Sequence, residues 1–253
     1  MTDEGYRTTA VAALADRDYE RAGDEFTRDG WATLAEPRPE LSPFAVDDNG
    51  WVGRGLAALS AAVAAYRVAG LDTRATNRAV EGVAVARDLA TDTSHAVQSA
   101  CFSEFVADFK TLGGLAGAGD AYEAAADEYG DAAENIDSPQ AWGTTPLFEA
   151  AAATLKQVAR GQDNGEIAVT WEDLHGADPA QPGAFLAHRA AFKRQRFPTL
   201  VEQAVADGFL AAPRGTTEYD NANHECPNCG SRDVNWVADT TLCLRCSTPT
   251  EKR

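Results

Sequence analysis

Four of the five cysteines in this 253-residue chain fall within the stretch HECPNCGSRDVNWVADTTLCLRC, residues 224–246. They form two pairs, Cys226-Pro-Asn-Cys229 and Cys243-Leu-Arg-Cys246, with thirteen residues between the pairs. A Cys-x-x-Cys turn lets two thiolates converge on one ion, and two such turns complete a tetrahedral four-sulfur shell with metal–sulfur bonds of about 2.3 Å. The donor set predicts zinc, held by Cys226, Cys229, Cys243 and Cys246. Four thiolates leave no coordination position for water, so the ion is expected to be structural and not catalytic. A redox dithiol would need one pair inside a βαβ pattern, which is absent here, and a reducing compartment disfavours two disulfides. His224, next to the first pair, reads as an exposed linker histidine and not as a ligand.

Gly230 directly follows the first pair, where a tight turn needs dihedrals that suit glycine. Between the pairs, DVNWVADTTLC has strand character on both sides of Asp239-Thr240. The whole resembles a zinc ribbon, two metal knuckles on the ends of a β-hairpin, with Trp236 expected to pack on the hairpin face and shield the sulfurs. A module this small buries too little apolar area to fold alone. Metal binding supplies the missing free energy, on the order of 10 kcal/mol in isolated fingers.

The elements that must carry this module are helical. Alanine-, Arg- and Glu-rich stretches with apolar spacings of 3, 4 and 7 predict helices near 4–15, 18–35, 51–69, 72–90, 93–112, 119–134, 146–160, 183–196 and 198–209. The prolines of EPRPELSP (36–43) end the second helix. DDNG (47–50) offers a cap to the third, and Thr145-Pro146 starts the seventh with a cap and a first-turn proline. GQDNG (161–165) closes that helix, a short strand is expected at 166–170, and GGLAGAG (113–119) reads as an inter-helix turn. The expected organisation is an all-α bundle or helical-repeat domain over 1–212, a linker over 213–223, and a β-hairpin zinc ribbon over 224–253.

YERAGDEF at Tyr19 and YEAAADEY at Tyr122 are near copies, and FEAAAATL at Phe148 is a looser one. Their first, fourth and eighth positions share one helical face, and the small alanine between two large residues admits a neighbouring helix. Gly119-Asp-Ala-Tyr122 and Asp16-Arg-Asp-Tyr19 resemble the Gly-x-x-Tyr of tetratricopeptide and SNAP-like helical repeats. The downstream positions are out of register, and no copy follows the first at the family's 34-residue period. The resemblance implies a scaffold whose groove receives a peptide or protein partner.

The net charge is −17, and only four of the 22 basic residues are lysine. This composition resembles proteins of extreme halophilic archaea, where molar salt shortens the Debye length to about 3 Å and a dense negative surface barely repels itself. The acidity then reports the solvent and not a basic partner. No stretch reaches the roughly 18 uninterrupted apolar residues of a membrane span, and the N-terminus lacks a signal pattern, so a cytoplasmic protein is expected. HRAAFKRQRF (188–197) is the dense basic run, with Arg189, Lys193 and Arg196 on one helical face. That face could grip an acidic partner or RNA phosphates, or simply complement its own helix terminus. Cys101 reads as a buried, inert thiol, and His95 and His175 lack partners at motif spacing. No phosphate loop, dinucleotide fingerprint or nucleophile elbow is present, so no enzyme activity is expected. The expected function is a protein-interaction scaffold with a structural zinc ribbon. The alternative is a nucleic-acid- or ribosome-associated factor that uses the ribbon and the 188–197 helix.

Overall fold

The computed structural model describes residues 3–36, 42–46, 50–161 and 168–253. Apolar residues three and four apart fold as helices, as their spacing requires. The longer ones are α1 (Asp3–Ala15), α2 (Tyr19–Ala35), α3 (Gly50–Val68), α4 (Asp72–Asp92), α5 (Ala96–Leu112) and α6 (Ala118–Asp131). After a 3-10 turn at Ala132–Asn135 come α7 (Pro139–Gly143), α8 (Pro146–Ala159), α9 (Trp171–Leu174) and α10 (Pro182–Asp207). Local chemistry sets several ends. Asp18 accepts the Arg21 amide and caps α2, and Gly208 leaves α10 at φ +59°, in the left-handed region.

From α1 to α6 each helix packs on the next, and α8 and α10 then fold back across α3 and α5. The sequence pattern explains the layering. Helices α2, α4 and α6 bury one face only, whereas α3 and α5 are buried on nearly all sides. The inner side that an array of helical hairpins would open to a peptide is covered here by the chain's own α8 and α10. The shared face of the three similar segments is as the spacing predicts. Tyr19, Ala22 and Phe26, then Tyr122, Ala125 and Tyr129, then Phe148, Ala151 and Leu155 are all buried.

Three expectations are corrected. The helices expected at 183–196 and 198–209 are one helix, α10, with Pro198 inside it. Pro198 lies on the exposed side, where the carbonyl it deprives of a partner can turn to water. No strand forms at 168–170, and residues 166 and 167 lie outside the described residues, as do 37–41 of the proline break, 47–49 of the cap and 162–165 of the helix stop. Thr145 does occupy the cap of α8, but its hydroxyl donates back to the Trp142 carbonyl at 2.8 Å.

Beyond α10 the chain forms a three-stranded antiparallel sheet. Its strands are β1 (Thr216–Glu218), β3 (Val234–Val237) and β4 (Thr240–Cys243), with β3 central. A two-stranded pair, β2 (His224–Glu225) with β5 (Glu251–Lys252), flanks it. The stretch expected as a linker, 213–223, therefore supplies a strand to the ribbon sheet, pairing Thr216 with Trp236 and Glu218 with Val234. The β3–β4 hairpin turns on Ala238 and Asp239, one residue before the expected Asp239-Thr240. Both sit at positive φ, 47° and 61°, the two-residue turn whose twist matches the strands.

Candidate metal centre

Each cysteine pair is held by the same backbone knuckle. In the first, Gly230 N donates to Cys226 O at 2.9 Å and Cys226 N to Ser231 O at 2.9 Å. In the second, Ser247 N donates to Cys243 O at 3.0 Å and Cys243 N to Thr248 O at 2.7 Å. Both knuckles need a left-handed residue after the second cysteine. Gly230 takes φ +70° freely, whereas Ser247 is forced to +57° and its side chain is used elsewhere.

The knuckles bring the four sulfur atoms within 4.8 Å of one another. Cys226 to Cys246 and Cys229 to Cys243 are each 3.6 Å, and Cys246 to Cys229 is 3.8 Å. A regular tetrahedron with metal–sulfur bonds of about 2.3 Å has edges of about 3.8 Å. A disulfide would need about 2.05 Å, and all four cysteines are free. The set therefore has the size of a metal shell. Asn228 Nδ2, 3.7 Å from Cys246 Sγ, and Thr248 Oγ1, 3.3 Å from it, supply hydrogen bonding to one sulfur.

The thiols also perturb one another. Hydrogen bonding from Cys243 pulls Cys246 down to about 3, and the same contact, together with burial, pushes Cys243 up. Burial raises Cys226. Four sulfurs this close cannot all ionise without a cation among them.

The ribbon is bolted to the helices at its second knuckle. Arg160, buried at the end of α8, donates from Nη1 to Ala212 O and from Nη2 to Leu244 O, each at 3.0 Å. Leu244 lies between the two cysteines of the knuckle and is itself fully buried. Gln157 Nε2 reaches Ala211 O at 2.7 Å, and Ala212 N donates to Ser247 Oγ at 3.0 Å. On the far side of the hairpin, Asn235 accepts the Gly215 amide at 2.7 Å and donates to Pro213 O at 3.0 Å. Gly215 is needed there, because a Cβ would fall 2.0 Å from the Trp236 carbonyl.

Two expectations about the neighbours of the cysteines are corrected. His224 is 8% exposed, in β2, and pairs through Nδ1 with Thr250 Oγ1 at 3.0 Å; it is neither a free linker residue nor within the sulfur cluster. Trp236 is 38% exposed and meets the His224 ring edge-on at 5.2 Å. The sulfurs are not fully shielded either, since Cys229 is exposed.

The basic face of α10 is corrected more deeply. Arg196 is exposed, but Arg189 and Lys193 are 2% and 0% exposed. Arg189 grips Glu104 of α5 in a two-pronged pair, Nε to Oε1 at 2.7 Å and Nη2 to Oε2 at 2.8 Å, and Nη1 donates to Phe148 O at 2.9 Å. Lys193 meets Glu104 at 2.7 Å, Asp108 at 2.5 Å and Ala151 O at 2.7 Å. Two tyrosines of α6 complete the set, Tyr129 donating to Glu104 at 2.9 Å and Tyr122 to Asp108 at 2.6 Å. Two cations thus balance two carboxylates inside the bundle. Burial alone would raise Glu104, but Arg189 and Lys193 overcome it and hold the carboxyl at about 2. Burial and the neighbouring Glu104 raise Asp108 to about 6 against the pull of Lys193. Sequence reasoning missed Glu104 and Asp108; their i,i+4 spacing in α5, matching Arg189 and Lys193 in α10, was the available signal.

Cys101 lies beside this network, fully buried, with its thiol pushed up to about 12 by burial, an inert group as expected. No family model matches the chain, and neither the curated proteins nor the solved structures contain a match to it. No helix among the described residues is long and apolar enough to cross a membrane.

Proposed function

We propose that the cysteine cluster holds one structural zinc ion and that the protein is a non-enzymatic interaction scaffold whose ribbon presents a docking face to a protein partner. The observation that carries this reading is the ribbon's outward chemistry. Its arginines are already matched: Arg232 with Asp220, Arg245 with Asp233 at 3.0 Å, and Arg253 with Glu225 at 3.1 Å. Such pairs add little stability, but they leave no cationic stripe for phosphates. Large aromatics remain exposed instead, Trp236 at 38% and Tyr219 at 52%, and aromatic side chains of this kind anchor protein interfaces. With Arg189 and Lys193 inside the bundle, the nucleic-acid alternative loses the helix face on which it rested.

Zinc suits four thiolates, fills its shell with them and leaves no reactive position. The acidic surface favours a partner recognised by shape and apolar contact, in a salt-rich compartment where charge is screened. The test is affinity purification at molar salt, with and without nuclease, from the wild type and from Trp236→Ala and Tyr219→Ala. A protein retained through nuclease treatment and lost in the aromatic variants supports the scaffold. A complex dissolved by nuclease overturns it in favour of the nucleic-acid reading.

A further inference from the structure

The four sulfurs of the ribbon are unevenly covered. Cys226 and Cys243 are 1% and 0% exposed, Cys246 is partly buried, and Cys229 is exposed. A hollow open to solvent borders Cys229, with Gly230, Ser231 and Asp233 in its wall. The two knuckles are also unevenly held. The second is tied down through Leu244 O to Arg160 of α8 and through Ser247 Oγ to the Ala212 amide. The first closes on itself, Gly230 N on Cys226 O and Cys226 N on Ser231 O. Asn228, beside Cys229, reaches across to Cys246 Sγ at 3.7 Å, and the sulfurs of Cys229 and Cys246 lie 3.8 Å apart.

We propose that Cys229 is a site of reversible oxidation by a peroxide, with Cys246 as its resolving thiol, and that this reaction empties the metal centre. The proposal rests on the reading of the cluster as a metal centre. Exposure decides which sulfur reacts first, because oxidation follows thiolate character and access. The Cys229 thiolate attacks one oxygen of hydrogen peroxide, the O–O bond breaks, hydroxide leaves, and the sulfur becomes a sulfenic acid. The Cys246 thiolate then attacks the Cys229 sulfur, the S–O bond breaks, and a second hydroxide leaves. Two thiolates are oxidised to one disulfide, the peroxide is reduced, and two protons from solvent turn the hydroxides into water. The sulfurs must close from 3.8 Å to about 2.05 Å, and the first knuckle, which closes on itself, makes that approach. Cys243 is as near, 3.6 Å from Cys229, but it is fully buried in β4 with its amide fixed on Thr248 O. A disulfide sulfur is no longer a thiolate, so the shell falls from four donors to two and does not retain its ion.

The test treats the full, metal-loaded chain with hydrogen peroxide in the presence of a chromogenic chelator. When half the ion has been released, free thiols are alkylated and the tryptic peptides are mapped by tandem mass spectrometry. Trypsin cuts after Arg214, Arg232 and Arg245, so Cys229 travels on 215–232, Cys243 on 233–245 and Cys246 on 246–252. The expected result is one equivalent of zinc released for each disulfide formed, with 215–232 joined to 246–252 through Cys229 as the main product. Dithiothreitol and added zinc should restore the loaded protein. Retention of the ion under peroxide, a first disulfide that joins Cys229 to Cys226 or to Cys243, or a loss that dithiothreitol and zinc do not reverse would overturn the proposal. A chain that holds no metal before peroxide is added overturns the metal reading itself, whereas a loaded chain with any of the other three outcomes overturns the oxidation site alone.

Discussion

Arg160 at the end of α8 donates to the carbonyl of Leu244, 3.0 Å away and 84 residues later, inside the second cysteine knuckle. One guanidinium thereby joins the helical core to the metal site. A second bond, to Ala212 O, fixes the chain just where it leaves α10 for the ribbon.

Replacing Arg160 by Met should therefore do more than remove a charge. Both buried carbonyls lose their donor, at a cost of about 2–4 kcal/mol in unfolding free energy. The second knuckle should also release its ion faster to a chelator. Lysine, with a single ammonium in place of a planar fork, should rescue only part of either effect. Denaturant titration and the rate of metal transfer to a chromogenic chelator measure the two consequences.

The buried tetrad makes a second prediction. Glu104→Gln leaves Arg189 and Lys193 with Asp108 as their one remaining carboxylate and should cost about 3–5 kcal/mol. Tyr129→Phe removes one hydroxyl donor and should cost about 1–2 kcal/mol. Because Glu104 ionises at about 2, below the ordinary 4.5, its contribution is complete above the ordinary value and is lost as pH falls from 4.5 toward 2. Asp108, raised to about 6, acts with the opposite sign between its ordinary value and 6. Glu104→Gln should thus be most destabilising near neutral pH and converge on the wild type in strong acid, which urea melts across pH would show.

These charges mark the limit of what could be read from the sequence. The cysteine site was legible because everything it needs is local: two pairs, a glycine and a hairpin within about 25 residues. Even there Ser247 was missed, since a serine at +57° carries no sign of the turn that Gly230 announces. The helices and the shared face of Tyr19, Ala22 and Phe26 followed from periodicity. Arg189 and Lys193 did not, because a helical wheel shows which residues share a face but not that the face meets Glu104 and Asp108, 85 residues away. Likewise Pro198 argues for a helix end on local grounds, and tertiary packing of Phe197 and Val201 overrides it.

His175 carries a third prediction. Its ring stacks on Trp171 at 3.8 Å and lies 5.2 Å from Phe185, Nδ1 is 3.1 Å from Trp171 O, and Nε2 has no hydrogen-bond partner among the described residues. Burial lowers its pKa below 6.5. A depressed histidine favours the folded state fully above its ordinary value, and that stability is lost as pH falls through 6.5. The unfolding free energy of His175→Gln should accordingly change less between pH 7.5 and 5.5 than that of the wild type. Comparing the two proteins cancels the opposing slope of Asp108.

Thiol chemistry separates the cysteines. Cys101, raised to about 12 and buried, should stay silent toward a disulfide reagent in the folded protein. The metal-loaded native chain should yield almost no reactive thiol, chelator should expose four, and denaturant the fifth. A native protein that yields four reactive thiols without chelator would contradict the metal assignment.

The most direct test is the metal content of freshly purified protein, measured by elemental analysis beside Cys226→Ser and Cys243→Ser. One equivalent of zinc per chain in the wild type, falling to near zero in both variants, is the expected result. A wild-type chain without bound metal, or variants that keep a full equivalent, would contradict a four-sulfur ion as the element that folds the ribbon.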